Sequence, residues 1–221
     1  MRSTVASRTG VGCALLAVAL TVLVAVRWPP LIGVDEGIAG RLHAHAVTHP
    51  DVTRAMRLLS DWVWDPWTMR ALATAAVVWL WWRGDRVRAL CVAAATLVAS
   101  AVQQGLKAAV GRDRPQWPDP VDSAQYAAYP SGHAMTATVV CGLLLWLVPA
   151  GTSRLAVGAA WAVASVSVLG VGFTRLYLGV HWLSDVLAGW LLGVALVVAT
   201  VFRCACLGRS PASPQADDSV R

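Results

Sequence analysis

Residues 132–175 read GHAMTATVVCGLLLWLVPAGTSRLAVGAAWAVASVSVLGVGFTR, and this stretch decides the fold. Between its two ends only Arg154 is charged, and Pro149-Ala150-Gly151 interrupts the apolar run near its middle. An α-helix rises 1.5 Å per residue, and a bilayer core is crossed by about 20 apolar residues. Each half is long enough for one crossing. The stretch therefore predicts a tight hairpin of membrane helices that returns the chain to the face it left.

The same reading extends outward. Of the 221 residues, 57% are hydrophobic and 14% are charged, and the mean hydropathy is +0.59. A soluble domain carries roughly 25% charged residues. Stretches free of Asp, Glu, Lys and Arg are Thr9–Val26, Ala89–Leu106, Ala134–Ser153, Leu155–Thr174 and Val186–Phe202, and Pro66–Trp82 is broken only by Arg70. The expected fold is all-α: a polytopic membrane protein of six transmembrane helices, forming one domain over residues 1–207. The first span follows Arg2 and Arg8 as a secretory signal would, but its run is long and Arg27-Trp28-Pro29-Pro30 is a poor cleavage site, so it is expected to be retained.

Arginines set the orientation. Arg2 and Arg8, then Arg83, Arg86 and Arg88, then Arg154, then Arg203 and Arg209 flank the spans on one side, the positive-inside pattern. Both termini are expected in the cytoplasm, in a multi-pass protein of the plasma membrane. On the other face Asp35, Glu36, Asp51, Asp61 and Asp65 accompany the basic residues, so the net charge of +6 reads as topology. No dense basic helix or aromatic–basic alternation points to nucleic acid. Within residues 31–65, Leu31, Val34, Ile38, Leu42 and Val47 recur at near-helical spacing, which predicts a short helix on the outer membrane surface between spans one and two. Trp62, Trp64 and Trp67, with Trp79, Trp81 and Trp82, bracket the second span as interfacial anchors. Residues 208–221, rich in Ser, Pro, Ala and Asp, read as a disordered cytoplasmic tail.

Against this apolar background stand three polar clusters: Lys107 with Arg114-Pro115, Pro130-Ser131-Gly132-His133, and Arg175 with His181 and Asp185. Lys107 is the only lysine in the chain. The first cluster ends span three, the second begins span four, and the third lies two crossings later, so all three emerge on one face. Charge counting puts that face outside the cytoplasm. Lys107 and Arg114 are two helical turns apart, with Pro115 expected to end their helix. His181 and Asp185 are four residues apart, stacked on one helix face. Ser131 is expected to cap span four, and Gly132 to let a ligand approach the free backbone N–H groups. Each cluster alone has an ordinary explanation, as snorkelling cations, a helix-stabilising pair or a turn. Their coincidence on one face points to a phosphate site.

Lys107-x6-Arg114-Pro115, Pro130-Ser131-Gly132-His133 and Arg175-x5-His181-x3-Asp185 resemble the three motifs of the type 2 phosphatidic acid phosphatase family, the lipid phosphate phosphatases, across roughly residues 100–190. That family is related to bacterial acid phosphatases and vanadium haloperoxidases. Thr174 stands where many members have Ser, and it keeps a hydroxyl. The resemblance implies a phosphatase without metal or other cofactor that works through a phosphohistidine. On it, His181 is the nucleophile, oriented through its second ring nitrogen by Asp185, and His133 protonates the leaving oxygen and then activates water. Lys107, Arg114 and Arg175, with the backbone near Ser131 and Gly132, hold the phosphate oxygens. His43, His45 and His49 are expected on a surface helix and not around a metal, since no carboxylate or cysteine completes a ligand set.

The partner implied is a lipid phosphate in the bilayer. For a bacterial source, polyprenyl diphosphate comes first, with phosphatidic acid and phosphatidylglycerol phosphate next. A lipid phosphotransferase, with the same chemistry, stays open as an alternative. A transporter or scramblase predicts polar groups buried in mid-span, and the spans carry few beyond Gln103, Gln104 and hydroxyls.

Overall fold

The structure is a computed structural model that describes residues 2–207; the expected tail, residues 208–221, lies outside the described residues. The described chain is helical, with no strand. Its elements are α1 (Arg2–Ala25), α2 (Pro29–Thr48), α3 (Pro50–Leu58), a π-helical turn (Leu59–Val63), α4 (Pro66–Trp82), α5 (Arg86–Val110), α6 (Gly132–Trp146), α7 (Arg154–Tyr177) and α8 (Leu183–Leu207). Proline opens α2, α3 and α4, where its fixed φ suits the first turn and its missing N–H would have had no partner. The Asp65 carboxylate accepts from the Trp67 and Thr68 N–H groups to cap α4, and Ser153 caps α7 through Ala156 N–H.

Four helical stretches are long and apolar enough to cross a membrane: Ser7–Ala25, Arg86–Val110, Arg154–Tyr177 and Leu183–Leu207. The other two expected spans form shorter helices, α4 of 17 residues and α6 of 15. The expected 134–153 span stops early because Pro149 disfavours helix in the residues before it. Large apolar side chains face outward, among them Leu15, Leu16, Leu97, Leu155 and Val163. Such a surface is disfavoured in water and natural in lipid.

Residues 31–65 form more than the one short surface helix expected. They build the 20-residue α2, then α3, separated where Pro50 prevents one continuous helix. Trp64 departs from the expected interfacial belt. It is buried against α7, where a Cβ on Gly170 would lie 2.3 Å from its ring, whereas Trp62, Trp67 and Trp82 are exposed.

Helix α8 is the axis of the bundle, packing most heavily on α6 and α1. Gly189 and Gly193, one turn apart on α8, make the α6 contact possible. A Cβ at Gly189 would meet the Ser131 carbonyl at 2.8 Å, and one at Gly193 would meet Thr138 at 2.6 Å. Small residues four apart let membrane helices approach backbone to backbone. That contact brings the start of α6 onto the start of α8, where the polar clusters lie.

Candidate active site

Local sequence places each functional side chain. Helix α5 ends at Gly111, whose left-handed backbone (φ 58°) lets its N–H return to the Lys107 carbonyl, an αL cap. The helix thus stops before Pro115, and Arg114 lies in the irregular segment that follows and not two turns up the same helix. His181 likewise precedes α8, with only Asp185 inside its first turn. The carboxylate of Asp185 still reaches back. Its Oδ2 accepts from the Trp182 backbone N–H at 2.9 Å, half of a capping box, and lies 3.2 Å from His181 Nδ1.

The other imidazole nitrogen, His181 Nε2, lies 3.1 Å from the Arg114 guanidinium. His181 and Asp185 are buried, at 1% and 0% exposure. Burial, then Arg114, Arg175 and Lys107, hold His181 well below the usual imidazole range, so it is neutral at pH 7. Arg114 itself is lowered to about 10, first by burial and then by Arg175, and remains charged at neutral pH.

The loop between α5 and α6 folds over the cations. Lys107 Nζ donates to the Ala127 carbonyl. Arg114 donates to Tyr126 O at 2.9 Å, Gln125 O at 3.1 Å and Val180 O at 2.6 Å. Arg175, at the end of α7, donates to Ser60 Oγ at 2.8 Å and lies 3.9 Å from the Asp122 carboxylate. His133 is half-buried at the start of α6, within electrostatic range of Arg175, His181, Arg114 and Lys107.

Ser131 differs from expectation. Ser131 holds the N-cap position of α6, but its hydroxyl makes no capping bond; it is buried without a partner, as is Arg175 Nε. The Ser131 backbone N–H instead donates to the Asp185 carbonyl at 2.9 Å, which ties α6 to α8. At Gly132 a Cβ would lie 2.5 Å from the Gln103 side-chain amide, so Gly132 packs closely against α5. Thr174, in place of the usual Ser, donates its hydroxyl to the Val171 carbonyl within its own helix. His43 and His45 of α2 and His49 just after it do not converge: His43 stacks on Trp117 at 4.1 Å, while His45 stacks on His49 and hydrogen-bonds Tyr177. No group of three or more His, Cys, Asp or Glu side chains is placed to hold a metal among the described residues.

Two residues outside the three polar clusters enter the site. Arg112 NH1 donates to Asp185 Oδ1 at 2.7 Å, and its NH2 donates to Asp35 Oδ2 at 2.7 Å. Arg112 was visible only as one more arginine near a proline, and Asp35 as one acidic residue of a polar segment 150 residues upstream of Asp185.

The helix bundle thus gathers three cations, Lys107, Arg114 and Arg175, within electrostatic range of the buried His181–Asp185 pair. Residues 88–204 match the family model of the PAP2 superfamily, and the chain belongs to that superfamily. It is similar to an undecaprenyl-diphosphatase of Sulfolobus acidocaldarius, 37% identical over 76 residues, which is 34% of this chain and 31% of that protein. It is also similar to phosphatidylglycerophosphatase B of Bacillus subtilis, 33% identical over 93 residues, 41% of this chain and 45% of that protein. The matched stretch thus spans less than half the length of these curated relatives. In three dimensions it resembles the crystal structure of a transmembrane PAP2-type phosphatidylglycerolphosphate phosphatase from Bacillus subtilis. The TM-score is 0.78 at 22% identity, covering 91% of this chain and 98% of that one.

Proposed function

We propose that this protein is a membrane lipid phosphatase that hydrolyses a phosphomonoester or diphosphate of a lipid through a phosphohistidine on His181. The observation that carries the reading is the pinned imidazole, with Nδ1 against Asp185 and Nε2 against Arg114. A carboxylate at Nδ1 keeps the proton there and leaves the Nε2 lone pair for attack. An Arg at 3.1 Å can hold a phosphate oxygen beside that lone pair.

In the first step Nε2 bonds to phosphorus as the bond from phosphorus to the leaving oxygen breaks, and His133 delivers a proton to that oxygen. The negative charge of the bound phosphate favours the protonated form of His133. In the second step His133 takes a proton from water. The water oxygen attacks phosphorus, the N–P bond breaks, and inorganic phosphate leaves. Lys107, Arg114, Arg175 and the first-turn N–H groups of α6 stabilise the charge on the transferring group.

The relatives named for undecaprenyl diphosphate and phosphatidylglycerophosphate support a lipid substrate. Polyprenyl diphosphate is the first candidate, then phosphatidic acid and phosphatidylglycerol phosphate. We further assign six crossings, by α1, α4, α5, α6, α7 and α8, in one membrane domain ending near residue 207. In this reading α2 and α3 lie on the outer surface, both termini are cytoplasmic, and the site opens on the extracytoplasmic face of the plasma membrane. The arginines at positions 83, 86, 88, 154 and 203 support that orientation.

The test is phosphate release by detergent-purified protein in EDTA, from undecaprenyl diphosphate, phosphatidic acid and phosphatidylglycerol phosphate in parallel. Release is expected to survive EDTA and to vanish in a folded His181→Ala variant. Full activity in that variant would remove His181 as nucleophile, and a strict metal requirement would overturn the mechanism.

A further inference from the structure

The Asp185 carboxylate has two oxygens with separate tasks. Oδ2 faces His181 Nδ1 and the Trp182 N–H. Oδ1 accepts from Arg112 NH1 at 2.7 Å. Arg112 is itself held on every side. Its NH2 donates to Asp35 Oδ2 at 2.7 Å, its NH1 also donates to Ser184 Oγ at 2.6 Å, and its guanidinium lies over the Trp182 ring at 5.4 Å. Asp35 completes the frame by accepting from the Ser184 backbone N–H at 2.9 Å and from the Ser184 hydroxyl at 2.5 Å. Asp35, Ser184 and Asp185 are each at most 1% exposed.

This is a costly arrangement if α2 only had to dock. A buried ion group is often no more stabilising than apolar residues of the same volume, because each charge loses its hydration. What charge and planarity supply here is direction. A guanidinium presents its N–H groups in a fixed fork, and Arg112 spans two carboxylates from α2 and α8. That fork fixes the rotation of the Asp185 carboxyl plane, and the plane in turn aims the imidazole. Arg112 and Asp35 do not contact His181 directly in these bonds, and the phosphate-facing cations are Lys107, Arg114 and Arg175.

We propose that Asp35 and Arg112 are positioning residues: by gripping the Oδ1 atom of Asp185, they hold the carboxylate that sets the tautomer and aim of His181. Helix α2 thereby supports the catalytic pair through Asp35. The proposal rests on the reading of His181 as the nucleophile.

The experiment compares wild type, Asp35→Asn, Arg112→Lys and His181→Ala as full-length proteins in detergent. Radiolabelled phosphatidic acid and undecaprenyl diphosphate serve as probes. Three readouts are taken: the rapid-quench rate of forming an acid-labile, alkali-stable phosphoprotein, kcat and KM separately, and the inhibition constant of vanadate. At metal sites, loss of an outer contact to a liganding side chain costs about tenfold to a hundredfold, and the same leverage is expected of Asp185 on His181. We expect a loss of that order in phosphoprotein formation and kcat for both Asp35→Asn and Arg112→Lys, with KM and vanadate inhibition within about twofold, because the phosphate-binding cations are untouched. A kcat near wild type in both variants would overturn the positioning role while leaving the nucleophile in place. A parallel collapse of kcat, KM and vanadate binding would also overturn it, as a merely structural contact. If Asp35→Asn does not fold, Arg112→Lys, which keeps the charge and loses the fork, decides alone. Failure of wild type to form the phosphoprotein, or its persistence in His181→Ala, would instead defeat the nucleophile reading and the proposal with it.

Discussion

Replacing Gly189 by alanine should open the catalytic end of the bundle. The added methyl would lie 2.8 Å from the Ser131 carbonyl oxygen, 3.0 Å from Met135 N and 3.1 Å from Ala134 Cβ. Two of these are backbone atoms of α6 and cannot swing aside. Ordinary contact starts near 3.4 Å, so α6 must retreat by about half an ångström. The retreat falls on the 2.9 Å bond from Ser131 N–H to the Asp185 carbonyl, which holds the Ser131–Gly132–His133 segment against the His181–Asp185 pair. Overpacking of this kind costs roughly 1–3 kcal/mol. Misplacing catalytic groups by about 1 Å can lower a rate a hundredfold, so a shift of half that size should lower kcat by about tenfold. The control is Gly158→Ala on α7, where a Cβ meets nothing within 4 Å. Thermal unfolding and steady-state phosphate release in detergent measure both effects. Gly189→Ala with the stability and kcat of Gly158→Ala would refute the argument that close α6–α8 approach assembles the site.

Three further outcomes are expected. Asp122→Asn should lower KM by up to about fivefold with kcat unchanged. Its carboxylate, 3.9 Å from Arg175 and part-exposed, competes with phosphate by an interaction worth roughly 0.2–1 kcal/mol. Substrate titration reads this directly, and a raised KM would show that Asp122 helps binding. Asp61 sits on the surface, yet partial desolvation and then Asp122 raise its carboxyl above the usual range, with Arg175 opposing. Between its unfolded and folded values the native state binds the extra proton, so stability falls as pH rises through that window. Asp61→Asn should therefore raise Tm at pH 7, with the gain shrinking as pH approaches the ordinary carboxylate range; a gain independent of pH would contradict the cause. Vanadate, whose five-coordinate adduct mimics a transferring phosphoryl group, should inhibit, and Arg175→Lys should weaken that inhibition; insensitivity of the wild type would count against the phosphate site.

Much of the architecture was legible in residue order. Charge-free stretches of membrane length, separated by Pro149-Ala150-Gly151 and by arginine-rich turns, point to membrane helices, and each appears as a helix, although only four are long and apolar enough to cross and the 134–153 stretch ends its helix at Trp146. The polar clusters were legible because a Lys, a His or an Asp is conspicuous in an oily chain. Local geometry was less so. Spacing placed Arg114 on the helix of Lys107, but the left-handed conformation of Gly111 ends that helix first. Spacing made Ser131 a side-chain cap, but its hydroxyl forms no such bond and its N–H is used across the bundle.

The sequence by itself determined the membrane-type helical fold and singled out the polar clusters proposed to carry the chemistry, because hydropathy and charge are properties of each residue taken in order. Only the tertiary structure decided how those side chains are aimed. The Arg112 fork joins Asp35 to Asp185 across 150 residues of chain. The Gly189–Gly193 face of α8 sets the approach of α6, and the Gly132 position is filled from α5 by Gln103. Each of these depends on which faces of distant helices meet, and no local period in the sequence encodes that pairing.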